Sequence, residues 1–183
     1  MEPRTAPEWQ TTSWFNTPVP LSLEKLKGRV VLLHAFQMLC PGCVTHGLPQ
    51  AARVAELFAG ELLTVVGLHT VFEHHAAMGI ESLRAFLHEY RIRFPVGVDS
   101  PGEQGRPIPR TMDAYAMQGT PTTVLIDAHG RLRKQVFGLY DDLLLGADLK
   151  ALLIESKLST DTQPPTEAAA PADCDEGRCA RKD

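Results

Sequence analysis

Val30-Val31-Leu32-Leu33-His34-Ala35-Phe36-Gln37-Met38-Leu39-Cys40-Pro41-Gly42-Cys43 is the stretch from which the fold can be read. Residues 30 to 36 are apolar on both faces apart from His34, the pattern of a strand covered on both sides. Val44 to Phe58 follows with apolar residues at helical spacing, so the two cysteines stand at a strand-to-helix junction. At the mouth of a helix, unpaired N–H groups and the macrodipole favour an anion, which makes a thiolate on Cys40 available near neutral pH. Cys43 lies one turn further on, close enough to attack a mixed disulfide formed on Cys40. A redox dithiol is the reading favoured here. Two others stay open: half of a zinc site, extended by His46 to C-x-x-C-x-x-H, and a purely structural disulfide.

Working outward, Pro18 to Leu23 reads as an extended edge strand, where proline is tolerated. Residues 1 to 13 are polar with two early prolines and are read as a flexible surface segment. Downstream, the helix runs over 42 to 59 with Pro49 kinking it, and Gly60 ends it. Leu62 to Leu68 is a second buried strand, and Ile80 to Arg91 an amphipathic helix. Phe94 to Val98 is a short strand, and Asp99 to Arg110 is too rich in Gly and Pro for regular structure. Thr111 to Met117 is a short helix. Thr122 to Asp127 and Leu132 to Phe137 are strands joined by the hairpin signal Ala128-His129-Gly130, and Asp142 to Leu158 is the last helix. From Ser159 the chain turns Pro-, Ala- and Thr-rich, a composition that reads as disordered. The expected organisation is therefore a flexible segment 1–13, a domain 14–158 and a tail 159–183 carrying Cys174 and Cys179.

A chain of 183 residues with a formal charge of -4 and no basic run is a poor nucleic-acid binder. No stretch is apolar enough to span a bilayer, and Met1 to Thr5 lacks the apolar core of a signal peptide. A cytoplasmic location is expected, or a periplasmic one if a leader was removed. In the cytoplasm a C-x-x-C is more often catalytic than structural.

The order of elements, with Cys40-Pro41-Gly42-Cys43 followed some eighty residues later by Gly119-Thr120-Pro121-Thr122, resembles the thioredoxin fold. The extra N-terminal segment and the Val-Val-Gly strand with its following insertion look like the TlpA/ResA group of thioredoxin-like oxidoreductases, within the redoxin (AhpC/TSA-related) superfamily. The resemblance covers roughly residues 14 to 155 and implies an α/β fold: a central mixed β-sheet flanked by helices. It implies that Pro121 is cis and lies beside Cys40, and that Thr120 pairs its backbone with a substrate chain like an added strand. His34 stands where thioredoxins keep a buried Asp. Titrating near neutrality, it would take the proton from Cys43; the alternative is a hydrogen-bonded core histidine. Glu73 falls near the position of an active-site glutamate in the TlpA/ResA group, one residue out of register with it; the alternative is a solvated loop charge. His74 and His75 beside it are candidate metal ligands, or plain solvated side chains. Leu39 replaces the family's Trp before the first cysteine, and Phe36-Gln37 replaces its Trp-Ala, so a less aromatic surface is expected.

These residues point to a thiol-disulfide oxidoreductase that needs no cofactor beyond its redox-active disulfide. Its expected partners are a protein or small-molecule disulfide and a thiol electron donor, with no nucleic acid, no membrane span and a monomeric state. The tail pair Cys174/Cys179 is expected to exchange electrons with Cys40/Cys43: a flexible linker of that length explores on the order of 20 Å and raises the effective concentration to roughly millimolar. The alternatives are a thiol peroxidase and a copper or zinc carrier. Gln37 stands where a peroxidatic site needs Thr or Ser, and the short C-x-x-C spacing disfavours copper assembly.

Overall fold

The computed structural model describes residues 4–103 and 106–161, with side chains to Leu158. Its centre is β2 (Val30–Phe36), buried at every position. It pairs in parallel with β3 (Leu63–His69) and antiparallel with β5 (Thr122–Ile126). Outward from β3 come β4 (Val96–Asp99), parallel, and β1 (Thr11–Phe15), antiparallel; outward from β5 comes β6 (Leu132–Phe137). The mixed sheet thus has the order β1-β4-β3-β2-β5-β6.

Period-two alternation sends Val30, Leu32 and Phe36 to one face and Val31, Leu33 and Ala35 to the other. The first face packs on α1 (Leu48–Leu57), α2 (Ile80–Glu89) and α4 (Asp142–Asp161). The second is covered by α3 (Arg110–Ala114) and by the segment ahead of β1. That segment departs from the expectation of a flexible stretch 1–13: Ala6 and Trp9 are buried, and the Ala6 N–H donates to the Gly130 carbonyl at 2.9 Å. Trp9 supplies apolar surface that offsets the entropy of ordering the segment. The edge strand is accordingly β1, upstream of Pro18 to Leu23. With prolines at 18 and 20, that stretch lacks two of the N–H groups a ladder needs.

Pro49 does not kink the helix in the way expected. The turn before it, Cys43–Gly47, is π-helical, and Pro49 then sits in the first turn of α1, where its missing N–H costs least. In the Asp99 to Arg110 connection, the buried Asp99 carboxylate accepts the N–H groups of Thr111 at 2.8 Å and Met112 at 3.0 Å and so caps α3. Among the described residues no helix is long and apolar enough to cross a membrane.

Candidate active site

The C-terminal end of β2 delivers the site. Cys40 and Cys43 form a disulfide, with Cα atoms 5.2 Å apart. Cys40 is half-buried and Cys43 fully buried, so one sulfur is open to a partner and the other is not. The Cys43 N–H donates to Cys40 Sγ at 3.2 Å. In the reduced state that donor, at the first turn of a helix, stabilises a thiolate on Cys40.

The Thr120-Pro121 bond is cis. Cys40 Sγ lies 3.5 Å from the Thr120 carbonyl oxygen, across 80 positions of sequence. Gly119 precedes them because a Cβ there would come within 2.9 Å of the Phe137 ring. That exposed ring gives the mouth an aromatic group from β6, while Leu39 beside Cys40 is exposed in its turn.

His34 shares the α1 face of β2. It is 1 % exposed, and its Nδ1 lies 3.2 Å from Thr123 Oγ1. Among the described residues its Nε2 has no hydrogen-bond partner. The ring packs on Gly47, one turn beyond Cys43, where any Cβ would overlap it. Burial pulls its pKa from 6.5 to about 4, so the imidazole is neutral at neutral pH rather than titrating there. It forms the floor of a cleft of about 480 Å³ that Pro121, Thr123, Gln50 and Leu139 also line.

On the other side of Cys40, Gln37 is 2 % exposed and fully engaged. Its Nε2 donates to Glu73 Oε1 at 3.3 Å and to Thr120 Oγ1 at 3.5 Å, and its Oε1 accepts the Phe72 N–H at 3.3 Å. Glu73 is therefore drawn to the same mouth as Thr120. His74 and His75 are exposed, as is His46, whose Nδ1 lies 2.9 Å from Thr45 Oγ1. Among the described residues no three His, Cys, Asp or Glu side chains converge as metal ligands do. Cys174 and Cys179 lie outside the described residues.

Residues 4–135 match the AhpC/TSA family. The chain belongs to that family. A crystal structure of a thioredoxin-like superfamily protein is 55% identical, with a TM-score of 0.80 over 82% of this chain and 96% of the other. A thiol-disulfide isomerase from Corynebacterium glutamicum is 47% identical, with a TM-score of 0.76 over 81% of this chain and 96% of its own. Protein DipZ of Mycobacterium bovis and of Mycobacterium tuberculosis is 27% identical over 176 residues, 91% of this chain but 23% of the relative. The chain thus spans about a quarter of the length of those curated relatives. Its fold is that of a thioredoxin-like redoxin, as the two motifs implied.

Three groups are not evident from the sequence alone. In the sequence Gln37 reads as a replacement, of a family residue and of a peroxidatic Thr or Ser, although a polar residue at the end of a buried strand needs partners. His69 is 1 % exposed, its pKa is also pulled to about 4 by burial, and among the described residues its Nε2 has no partner. Its position, last in an otherwise apolar strand, was the available signal. Phe137 closes an ordinary-looking strand, and only the β5–β6 register sets it opposite Thr122.

Proposed function

We propose that the chain is a thiol-disulfide oxidoreductase working through Cys40 and Cys43. The reduced Cys40 thiolate attacks a substrate disulfide, forming a bond to one substrate sulfur and releasing the other as a thiolate that takes up a proton. Cys43 then loses its proton and attacks Cys40, releasing the second substrate thiol. Two electrons and two protons pass to the substrate, and the Cys40–Cys43 disulfide remains. The observation that carries this reading is the pairing of a half-exposed Cys40, backed by the Cys43 N–H, with the cis peptide at Pro121. The likeness to the thiol-disulfide isomerase of Corynebacterium glutamicum supports it. Oxidation runs through the same parts in reverse. Cys43→Ser is expected to accumulate a mixed disulfide on Cys40, seen as an adduct by mass spectrometry, whereas Cys40→Ser accumulates none. Adducts on neither variant, with rapid consumption of peroxide by the wild type, would favour the peroxidase reading instead.

The tail pair Cys174/Cys179 is proposed as an electron relay to this site, under one geometric constraint. Lys157 and Lys150 pair with Glu61 at 2.9 and 3.6 Å, beyond the C-terminal end of α1. Gln50 and Asp142 meet near its other end, the end of the cysteines. So α4 leaves the cysteines behind and ends about 30 Å from its start. Fully extended, the chain from Asp161 spans about 45 Å to Cys174 and about 60 Å to Cys179, long enough to return. Truncation after Leu158 is expected to slow reduction of Cys40–Cys43 by a dithiol donor or by thioredoxin. Unchanged rates with both donors remove the relay.

A further inference from the structure

The rim of the site carries an unbalanced charge. On the Pro121 side, Asp142 is paired with Arg53 at 3.1 Å and accepts from Gln50. On the Gln37 side, Glu73 receives only the neutral amide of Gln37, and among the described residues no Lys, Arg or His is within ion-pair distance of it. Yet Glu73 is not a stray loop charge. The amide nitrogen that binds its carboxylate also reaches Thr120 Oγ1, so the carboxylate and Thr120, the residue expected to pair with a substrate chain, stand on either side of one buried atom. A strand lying along Thr120 with its cysteine bonded to Cys40 would bring the residues flanking that cysteine to the carboxylate.

We propose that Glu73, positioned by Gln37, selects substrate strands whose cysteine is flanked by Lys or Arg, and that within this chain it favours Cys179 over Cys174. The inference rests on the exchange reading above. Cys179 follows Arg178 and precedes Ala180-Arg181-Lys182. Cys174 lies between Asp173 and Asp175-Glu176. The two tail thiols thus present opposite charge to the same carboxylate. A contact at the rim of an interface acts mainly on the rate of association and weakens with salt.

The test uses the full chain with Cys174→Ser and Cys179→Ser, reduced, in single-turnover reduction of two disulfide-linked peptide homodimers at low ionic strength. One peptide spans Gly177 to Lys182 and the other Ala172 to Gly177, both blocked at their ends. Basic flanks alter the reactivity of a disulfide by themselves, so the readout is the basic-to-acidic rate ratio compared between wild type and Glu73→Gln. That ratio is expected to fall about fivefold in Glu73→Gln, the effect of one exposed charge contact, and to fall likewise in wild type at high salt. Gln37→Leu, which frees the carboxylate without removing it, is expected to lower the ratio as well. The same ratio in wild type and Glu73→Gln, while both still reduce hydroxyethyl disulfide, overturns the selection and leaves the exchange reading standing. Failure of the wild type to reduce hydroxyethyl disulfide overturns both.

Discussion

The rim of the site and its floor are built on opposite rules. At the rim, around Cys40, polar groups are half-exposed or tied down: Gln37 makes three hydrogen bonds that join Phe72, Glu73 and Thr120. At the floor, Cys43 and His34 are buried, as is His69 at the end of β3, and among the described residues both histidines keep an Nε2 without a hydrogen-bond partner. A buried nitrogen without a partner costs roughly 1–3 kcal/mol, so two on one domain are a cost that packing must offset. The rim is therefore suited to holding a partner in register. At the floor the buried groups have few hydrogen-bond partners to which a proton could pass.

If that contrast holds, the floor should fail first in acid. Burial holds His34 and His69 near 4, against 6.5 when the chain is unfolded. Above about 6.5 both rings are neutral in either state and stability is unaffected by them. As pH falls below 6.5, the unfolded chain binds protons that the folded chain refuses, so stability drops until about 4, where the folded rings protonate too. The shift of each ring corresponds to a loss of about 3 kcal/mol across that window. Asp99 works the other way, since burial raises its pKa and favours the folded state in acid. The informative quantity is thus the difference between wild type and His34→Gln in urea stability at pH 7.5 and at pH 4.5. His34→Gln should lose about 2.5 kcal/mol less than wild type on acidification over that range. Equal losses would mean that the His34 ring is not kept neutral by the fold.

The same contrast explains what could be read from the chain. The floor was legible because its elements are local: a seven-residue buried strand, a C-x-x-C at a helix mouth, and a Gly-Thr-Pro at the right remove. His34 was conspicuous as the one polar side chain in that strand. What it lacks, a partner for Nε2 and a pKa near neutrality, depends on Gly47 and Thr123, which only the assembled sheet brings to it. The rim was less legible. Gln37 and Glu73 are 36 positions apart, and Gln37 and Thr120 are 83 apart, so no local pattern announces their contact. The N-terminal segment reads as flexible because its composition is polar, while its place in the fold is decided by two side chains, Ala6 and Trp9. The prolines at 18 and 20 suggested an edge strand, but β4 pairs instead with Thr11–Phe15, whose N–H groups are intact.

The smaller effect is kinetic, and it bears on what the floor is for. Cys43 must shed a proton to attack the mixed disulfide, and it is fully buried. His34 is neutral at pH 7, its Nε2 is free, and its ring rests on the helix turn that carries Cys43. Held near 4, it is a weak base, so its help in the transition state falls below the roughly hundredfold at the low end of general-base catalysis. His34→Ala is expected to slow resolution by Cys43 about tenfold, about 1.4 kcal/mol, and to change attack by Cys40 less than twofold. Stopped-flow formation and decay of a mixed disulfide separates the two steps. His34→Gln, which can keep a hydrogen bond to Thr123 but accepts no proton, guards against a loss due only to the cavity left by alanine. Resolution slowed in both variants assigns the proton to His34. Resolution slowed in the alanine variant alone makes the ring a packing group, and equal slowing of both steps removes it from the chemistry.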